Sequence, residues 1–184
     1  MKVLLGLGNP EQKYNGTRHN VGFLAIDRIA AAYGAEFKSQ SKLQAAVADI
    51  TIAGERILLV KPTTYYNEVG QSARAIMDFY KLAPEDFLLI HDDLALPLGT
   101  IRTRLGGSDG GSNGLKSLAA HIGTNTARMR VGVWTDSHHG TDKVGVVLGK
   151  FTRPEQAVLD EQTDTMLHIA AEFIADNFTA TTHR

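Results

Sequence analysis

The chain has 184 residues, 43% of them hydrophobic and 21% charged, a composition that fits one folded domain with a sizeable core. It contains no cysteine, so disulfides, thiolate catalysis and cysteine-based metal sites are excluded. With 19 basic residues against 20 acidic ones the net charge is −1, so a nucleic-acid partner would have to meet a local basic surface.

The opening run Val3–Leu7 is apolar throughout rather than alternating, which predicts a buried strand; it is too short for a signal peptide. It breaks into Gly8, Asn9 and Pro10. Asn20 stands where a cap is expected for a helix from Val21 to about Tyr33, closed by Gly34. Residues 43–51 and 55–61 flank IAGE and read as a hairpin. The pattern is helical from Glu68 to Leu82, with Asn67 as the expected cap. Phe87–Ile90 reads as a short strand ending at HDDLALPLG. Ile101–Leu105 carries alternating arginines, and GGSDGGSNG is a flexible loop leading into a helix over about Leu115–His121. Arg130–Trp134 reads as a strand, TDSHHGTDK as a loop, and the segment from Pro154 to about Phe178 as helical. Strands separated by helices predict a single α/β domain over residues 1–184. Its sheet is expected to be twisted and mixed, partly parallel, with helices on both faces. The hairpin at 43–61 makes it mixed. No stretch approaches the length of a membrane helix.

Polar residues gather at the ends of these elements. Asn9 and Asp92 follow strands, where open α/β sheets form their crevices. His19, Asn67 and Asn113 stand at helix starts, where free backbone N–H groups favour negative charge. Singly, each has a plain structural explanation. Asn20, Asn67 and Asn113 suit caps, Asn9-Pro10 and Asp92 suit turns, and His19 suits a hydrogen-bonded surface site. Together, one histidine, one carboxylate and three amides form a set able to activate water and bind a carbonyl. The histidine can take a proton from water near neutral pH, and a carboxylate on its other ring nitrogen fixes the tautomer. The amides can donate to a developing oxyanion. Ser112 lies in GGSNG, but it follows a loop rather than a strand, so no nucleophile elbow is indicated. No dinucleotide fingerprint or P-loop is completed, and the adjacent His138 and His139 are poorly spaced for a metal. Arg102 and Arg104 alternate on one predicted strand and Arg128 and Arg130 on another, so two such strands can make a local positive patch. Within it, Arg102 and Arg128 are read as solvated strand residues.

The stretches GLGNPEQKYNGTRHNVGF, KPTTYYNEVG, HDDLALPLG, GGSDGGSNGLKS, RMRVGV and VLGKF come in this order from residue 3 to about 151. Together they resemble the bacterial-type peptidyl-tRNA hydrolase family. The resemblance implies a cytoplasmic, monomeric enzyme that cleaves the ester between a peptide and the 3′ ribose of a tRNA. It implies no cofactor, no metal, no membrane and no obligate protein partner. The substrate would be held by its acceptor end and 3′ CCA. Carried over by resemblance, His19 is the base that activates water and Asp92 its partner. Asn9 and Asn67 lie beside the ester and the ribose or peptide end, and Asn113 on the peptide side. Tyr14 and Tyr65 match aromatic positions around the tRNA end and peptide. Arg104 and Arg130 match a basic pair on a tRNA phosphate. The chain also departs from the family pattern. Tyr66 stands where methionine or another flexible apolar residue is expected, Ser112 where a histidine is frequent, and Arg104 where a lysine is common. Two other readings share the scaffold: a non-catalytic module for RNA and protein contacts, as in plastid splicing cofactors, and an esterase for small substrates. The retained His19 and Asp92 speak against the first, and the paired arginines against the second.

Overall fold

In the computed structural model, which describes residues 1–184, the N-terminal apolar run forms β1 (Lys2–Gly6). It pairs in parallel with β4 (Glu55–Pro62) on one side and β5 (Phe87–Pro97) on the other. Both faces of β1 are covered, which is why its sequence is apolar without alternation and Val3, Leu4 and Leu5 have no exposed surface. Beyond β4, the hairpin strand β3 (Ala45–Ile52) returns antiparallel and carries the short edge strand β2 (Lys38–Gln40). Beyond β5 lies parallel β7 (Ala127–Trp134), then antiparallel β6 (Ile101–Leu105) and a two-residue β8 (Thr182–His183). The sheet order is β2-β3-β4-β1-β5-β7-β6-β8, a single mixed sheet of the expected α/β class.

The strand alternation divides the core. Leu4, Ile57, Leu59, Leu88 and Ile90 face α1 (Val21–Ala32) and α6 (Thr163–Ile174). Leu5, Leu58, Val60, Phe87 and Leu89 face α2 (Val69–Tyr80) and α3 (Asn113–Ile122). Each large side chain buried this way contributes about 1.5–3 kcal/mol relative to exposure. The start of α1 lies directly on the strand ends. A Cβ at Gly22 would come 2.4 Å from the Ile90 carbonyl oxygen and 2.5 Å from the Leu7 backbone, so only glycine fits there. Two further helices, α4 (Lys143–Leu148) and α5 (Arg153–Glu161), precede α6.

Several boundaries differ from the sequence reading. Asn20 makes no capping bond to α1, and Asn67 sits in a single 3-10 turn, Tyr66–Glu68, ahead of α2 without capping it. The cap of α3 is Ser112, whose hydroxyl accepts from the Leu115 N–H, and Asn113 is the first helical residue. The strand expected to end at Ile90 continues to Pro97. Its polar residues stay in register with β7, His91 opposite Arg130, Asp92 opposite Val131 and Asp93 opposite Gly132. The C-terminal helical stretch is two helices that meet at Gln162 and end at Ile174.

Candidate functional site

The crevice forms where β1 runs out beside β5. The Leu7 N–H still bonds the Ile90 carbonyl at 2.9 Å, and the chain then leaves the sheet through Gly8 to Pro10. Asn20 grips the peptide of Asn9 from both sides. The Asn9 N–H donates to Asn20 Oδ1 at 2.9 Å, and Asn20 Nδ2 donates to the Asn9 carbonyl at 2.9 Å. This buried exchange, not a cap, is the work of Asn20. The Asn9 side-chain oxygen accepts the Tyr66 N–H at 2.8 Å. Only an oxygen can accept from that N–H, so the bond fixes which way the amide is turned. It leaves Asn9 Nδ2 as a donor with no partner in the chain.

His19 lies in the single turn Arg18–Asn20 just before α1. Its Nδ1 is 3.0 Å from Asp92 Oδ2, with 21% of the imidazole side chain exposed and 7% of the carboxylate. With Nδ1 donating to the carboxylate, Nε2 is the free acceptor. The other carboxylate oxygen, Oδ1, accepts the Tyr66 hydroxyl at 2.9 Å. The Tyr66 ring stacks on the His19 ring, with centroids 3.6 Å apart and planes 18° from parallel. The neighbouring Arg18 is buried. Its Nη2 donates to both oxygens of Glu155 at 2.7 and 2.8 Å, and its Nη1 to the Lys150 carbonyl at 2.9 Å. This brace fastens the histidine's turn to the start of α5. Burial pushes the Glu155 carboxyl up, but bonds from the Thr152 N–H and Arg18 outweigh it and hold the group below the ordinary carboxylate range.

Asp93 points away from Asp92, as successive strand residues do, and accepts from Arg130 Nε at 2.6 Å and Nη2 at 2.5 Å. In the β6–β7 register Arg102 lies opposite Arg130 and Arg104 opposite Arg128, so all four arginines share one face of the sheet. Arg104 is exposed and has no anionic partner. Arg128 is not the solvated residue expected. It is buried and donates to the Ser108 and Gly107 carbonyls at 2.6 and 2.7 Å, shaping the glycine-rich loop. His91, packed below, is also buried; its Nδ1 bonds the Asp92 carbonyl at 2.8 Å, and burial lowers its pKa, which keeps it neutral.

A cleft of about 720 Å³ connects these groups. It runs from His19 and Asp92 past Asn67 and Asn113 to Arg104 and Arg130. Asn67 and Asn113 are exposed on its wall with their amides unbonded. Asn9, Tyr14 and Tyr65 are not among the residues that line it. Tyr65 is exposed near Glu11, whose carboxylate pairs with Lys13 at 2.8 Å, and Lys13 lies over the Tyr14 ring. Sequence reasoning missed Asn20, because an asparagine before a helix reads as a cap. It also missed the use of Asp93 and Arg128. For Tyr66 a signal existed: an aromatic residue with a hydroxyl stood where a flexible apolar one was expected.

No hydroxyl of the chain bonds His19, and an imidazole–carboxylate pair at the strand ends beside arginine side chains marks the class as a hydrolase with an anionic substrate. The comparisons with known proteins give the family. The profile of the peptidyl-tRNA hydrolase family matches residues 3–184, and the chain belongs to that family. It is 46% identical over 174 residues to the peptidyl-tRNA hydrolase of Chlorobaculum parvum, covering 94% of this chain and 91% of that protein. To the peptidyl-tRNA hydrolase of Exiguobacterium sibiricum it is 44% identical over 185 residues, covering 100% and 99%. The crystal structure of peptidyl-tRNA hydrolase from Acinetobacter baumannii superposes with a TM-score of 0.86 at 35% identity, over 96% of this chain and 89% of that one. No helix is long and apolar enough to cross a membrane.

Proposed function

We propose that this chain hydrolyses peptidyl-tRNA with a water molecule activated by His19. The single observation that carries the mechanism is the 3.0 Å contact of His19 Nδ1 with Asp92 Oδ2, set in the same cleft as Arg104 and Arg130. Water donates its proton to Nε2 as its oxygen attacks the ester carbonyl carbon. Asp92 holds the ring and stabilises the imidazolium. The role proposed for the unpartnered amide nitrogen of Asn9 is to donate to the carbonyl oxygen as it gains charge. Collapse breaks the bond to the ribose 3′ oxygen, which takes the proton back from Nε2. The peptide leaves as a carboxylic acid, which gives its remaining proton to solvent, and the tRNA with a free 3′ hydroxyl.

Asn67 and Asn113 offer amides to the ribose end and the peptide. Arg104 and Arg130 meet a phosphate near the acceptor end, which supplies affinity without reading sequence. Tyr14 and Tyr65 stand outside the cleft, and the part proposed for them is contact with the tRNA end beyond it. The chain acts as a monomer in the cytoplasm. The test is release of the N-blocked amino acid from an N-blocked aminoacyl-tRNA by wild type and His19→Ala. The variant should lose roughly 10²–10⁴ in rate while still binding tRNA. Retention of more than a tenth of the activity would remove His19 as the base. Faster turnover of a simple ester than of the tRNA substrate would point instead to a small-molecule esterase.

A further inference from the structure

We infer that Tyr66 is a positioning residue of the His19–Asp92 pair, holding the imidazole with its ring and the carboxylate with its hydroxyl. The inference rests on the reading of His19 as the base. Three bonds or contacts from one residue reach three site residues: its N–H to Asn9 Oδ1, its hydroxyl to Asp92 Oδ1 and its ring face to His19. With both Asp92 oxygens engaged, one by Tyr66 and one by His19, the plane of the carboxylate is fixed. An ionised carboxylate only accepts, so the tyrosine must donate.

Tyr66 is 4% exposed. Burial, and then the Asp92 charge, push its phenol well above the ordinary value, so it remains a donor across the working range of pH. The space for the ring is made by Gly114 in the first turn of α3. A Cβ there would fall 2.4 Å from Tyr66 Cε1 and 2.7 Å from Cδ1. The ring is therefore held between α3 and the imidazole and cannot swing aside. A methionine at this position would fill much of the volume but could neither donate to Asp92 nor present a flat face to His19.

The hydroxyl has a chemical consequence as well as a geometric one. A donor on Oδ1 draws charge from the carboxylate and weakens its hold on a proton at His19. Removing it makes Asp92 more basic and favours the imidazolium. In Tyr66→Phe the acidic limb of the kcat/KM profile should therefore move to higher pH, by roughly half a unit. The value of kcat should fall roughly tenfold, as expected when one charge-assisted hydrogen bond is lost. KM should stay close to wild type, since ring and volume are kept. Tyr66→Met should lose more kcat than Tyr66→Phe, because the stack goes too. Gly114→Ala, which leaves Tyr66 in place but crowds its ring, should reproduce the kcat loss. An unmoved limb in Tyr66→Phe, or a loss confined to KM or to thermal stability, overturns the proposal and makes Tyr66 a core filler. The two readings fail separately. An active His19→Ala sinks the base assignment itself, whereas an inactive His19→Ala beside an unchanged Tyr66→Phe sinks only the role of Tyr66.

Discussion

Asp92 and Asp93 are neighbours in sequence with opposite duties. One faces the imidazole and the phenol, the other the Arg130 guanidinium. The split makes a paired test. Asp92→Asn keeps the shape but cannot stabilise an imidazolium, and its amide must turn an N–H toward either Tyr66 or His19; kcat should fall by roughly 10²-fold, less than for His19→Ala. Asp93→Asn should leave kcat near wild type and change KM, because it weakens the hold on Arg130 while an amide oxygen can still accept the Ala95 N–H. Steady-state kinetics of both variants on the same tRNA decides this, and equal kcat losses would refute it. At this scale the sequence was a good guide to which side chains meet, and a poor one to their bonds. His19, Asp92, Asn67 and Asn113 were picked because they end or begin elements, and Arg104 and Arg130 because arginines alternate on two strands; these six line one cleft, whereas Asn9, Tyr14 and Tyr65 do not. The lock of Asn20 on Asn9 was hidden because its partner lies 11 residues away and the local pattern already had a satisfactory explanation in capping.

Among elements, the contact with most reach is the brace from Arg18, beside the histidine, to Glu155 at the start of α5. The Glu155 carboxyl is depressed in the folded chain, so its contribution is fully present above the ordinary carboxylate value of about 4.3 and is lost as pH falls through the folded value. Glu155→Gln should thus cost about 2–3 kcal/mol at pH 7, and the gap to wild type should close progressively below about pH 4. Thermal melts across pH 3 to 7 would show this; a constant gap would mean that packing alone is involved. The apolar runs announced β1, the 43–61 hairpin and the main helices, since a continuous or periodic hydrophobic pattern is what buried strands and helices need. The length of β5 was not legible. His91, Asp92 and Asp93 look like a loop by composition, and they stay in the strand because β7, about 40 residues later, offers them a ladder. The division of the last helical stretch at Gln162 has no such local mark.

For the whole molecule, parallel β1, β4 and β5 with helices on both sides leave the strand ends as the only place where polar side chains from several segments can converge. The four arginines of β6 and β7 add a consequence that concerns folding rather than catalysis. Two pairs of like charges face each other directly across the ladder, and only Arg130 has a carboxylate in contact. Opposed like charges on adjacent strands are unfavourable, by roughly 0.2–1 kcal/mol a pair. The free chain is therefore short of counter-ions at one edge of its sheet. Ions that screen or occupy the patch should make the fold firmer. The melting temperature should climb between low and moderate sodium chloride, and further at equal ionic strength with sulfate. Arg104→Ala should begin higher at low salt and respond less. A wild-type melting point indifferent to salt would show that the four guanidinium groups are already neutralised. If it does climb, any polyanion that binds at this face would act on the protein as a structural ion does, completing the folded state.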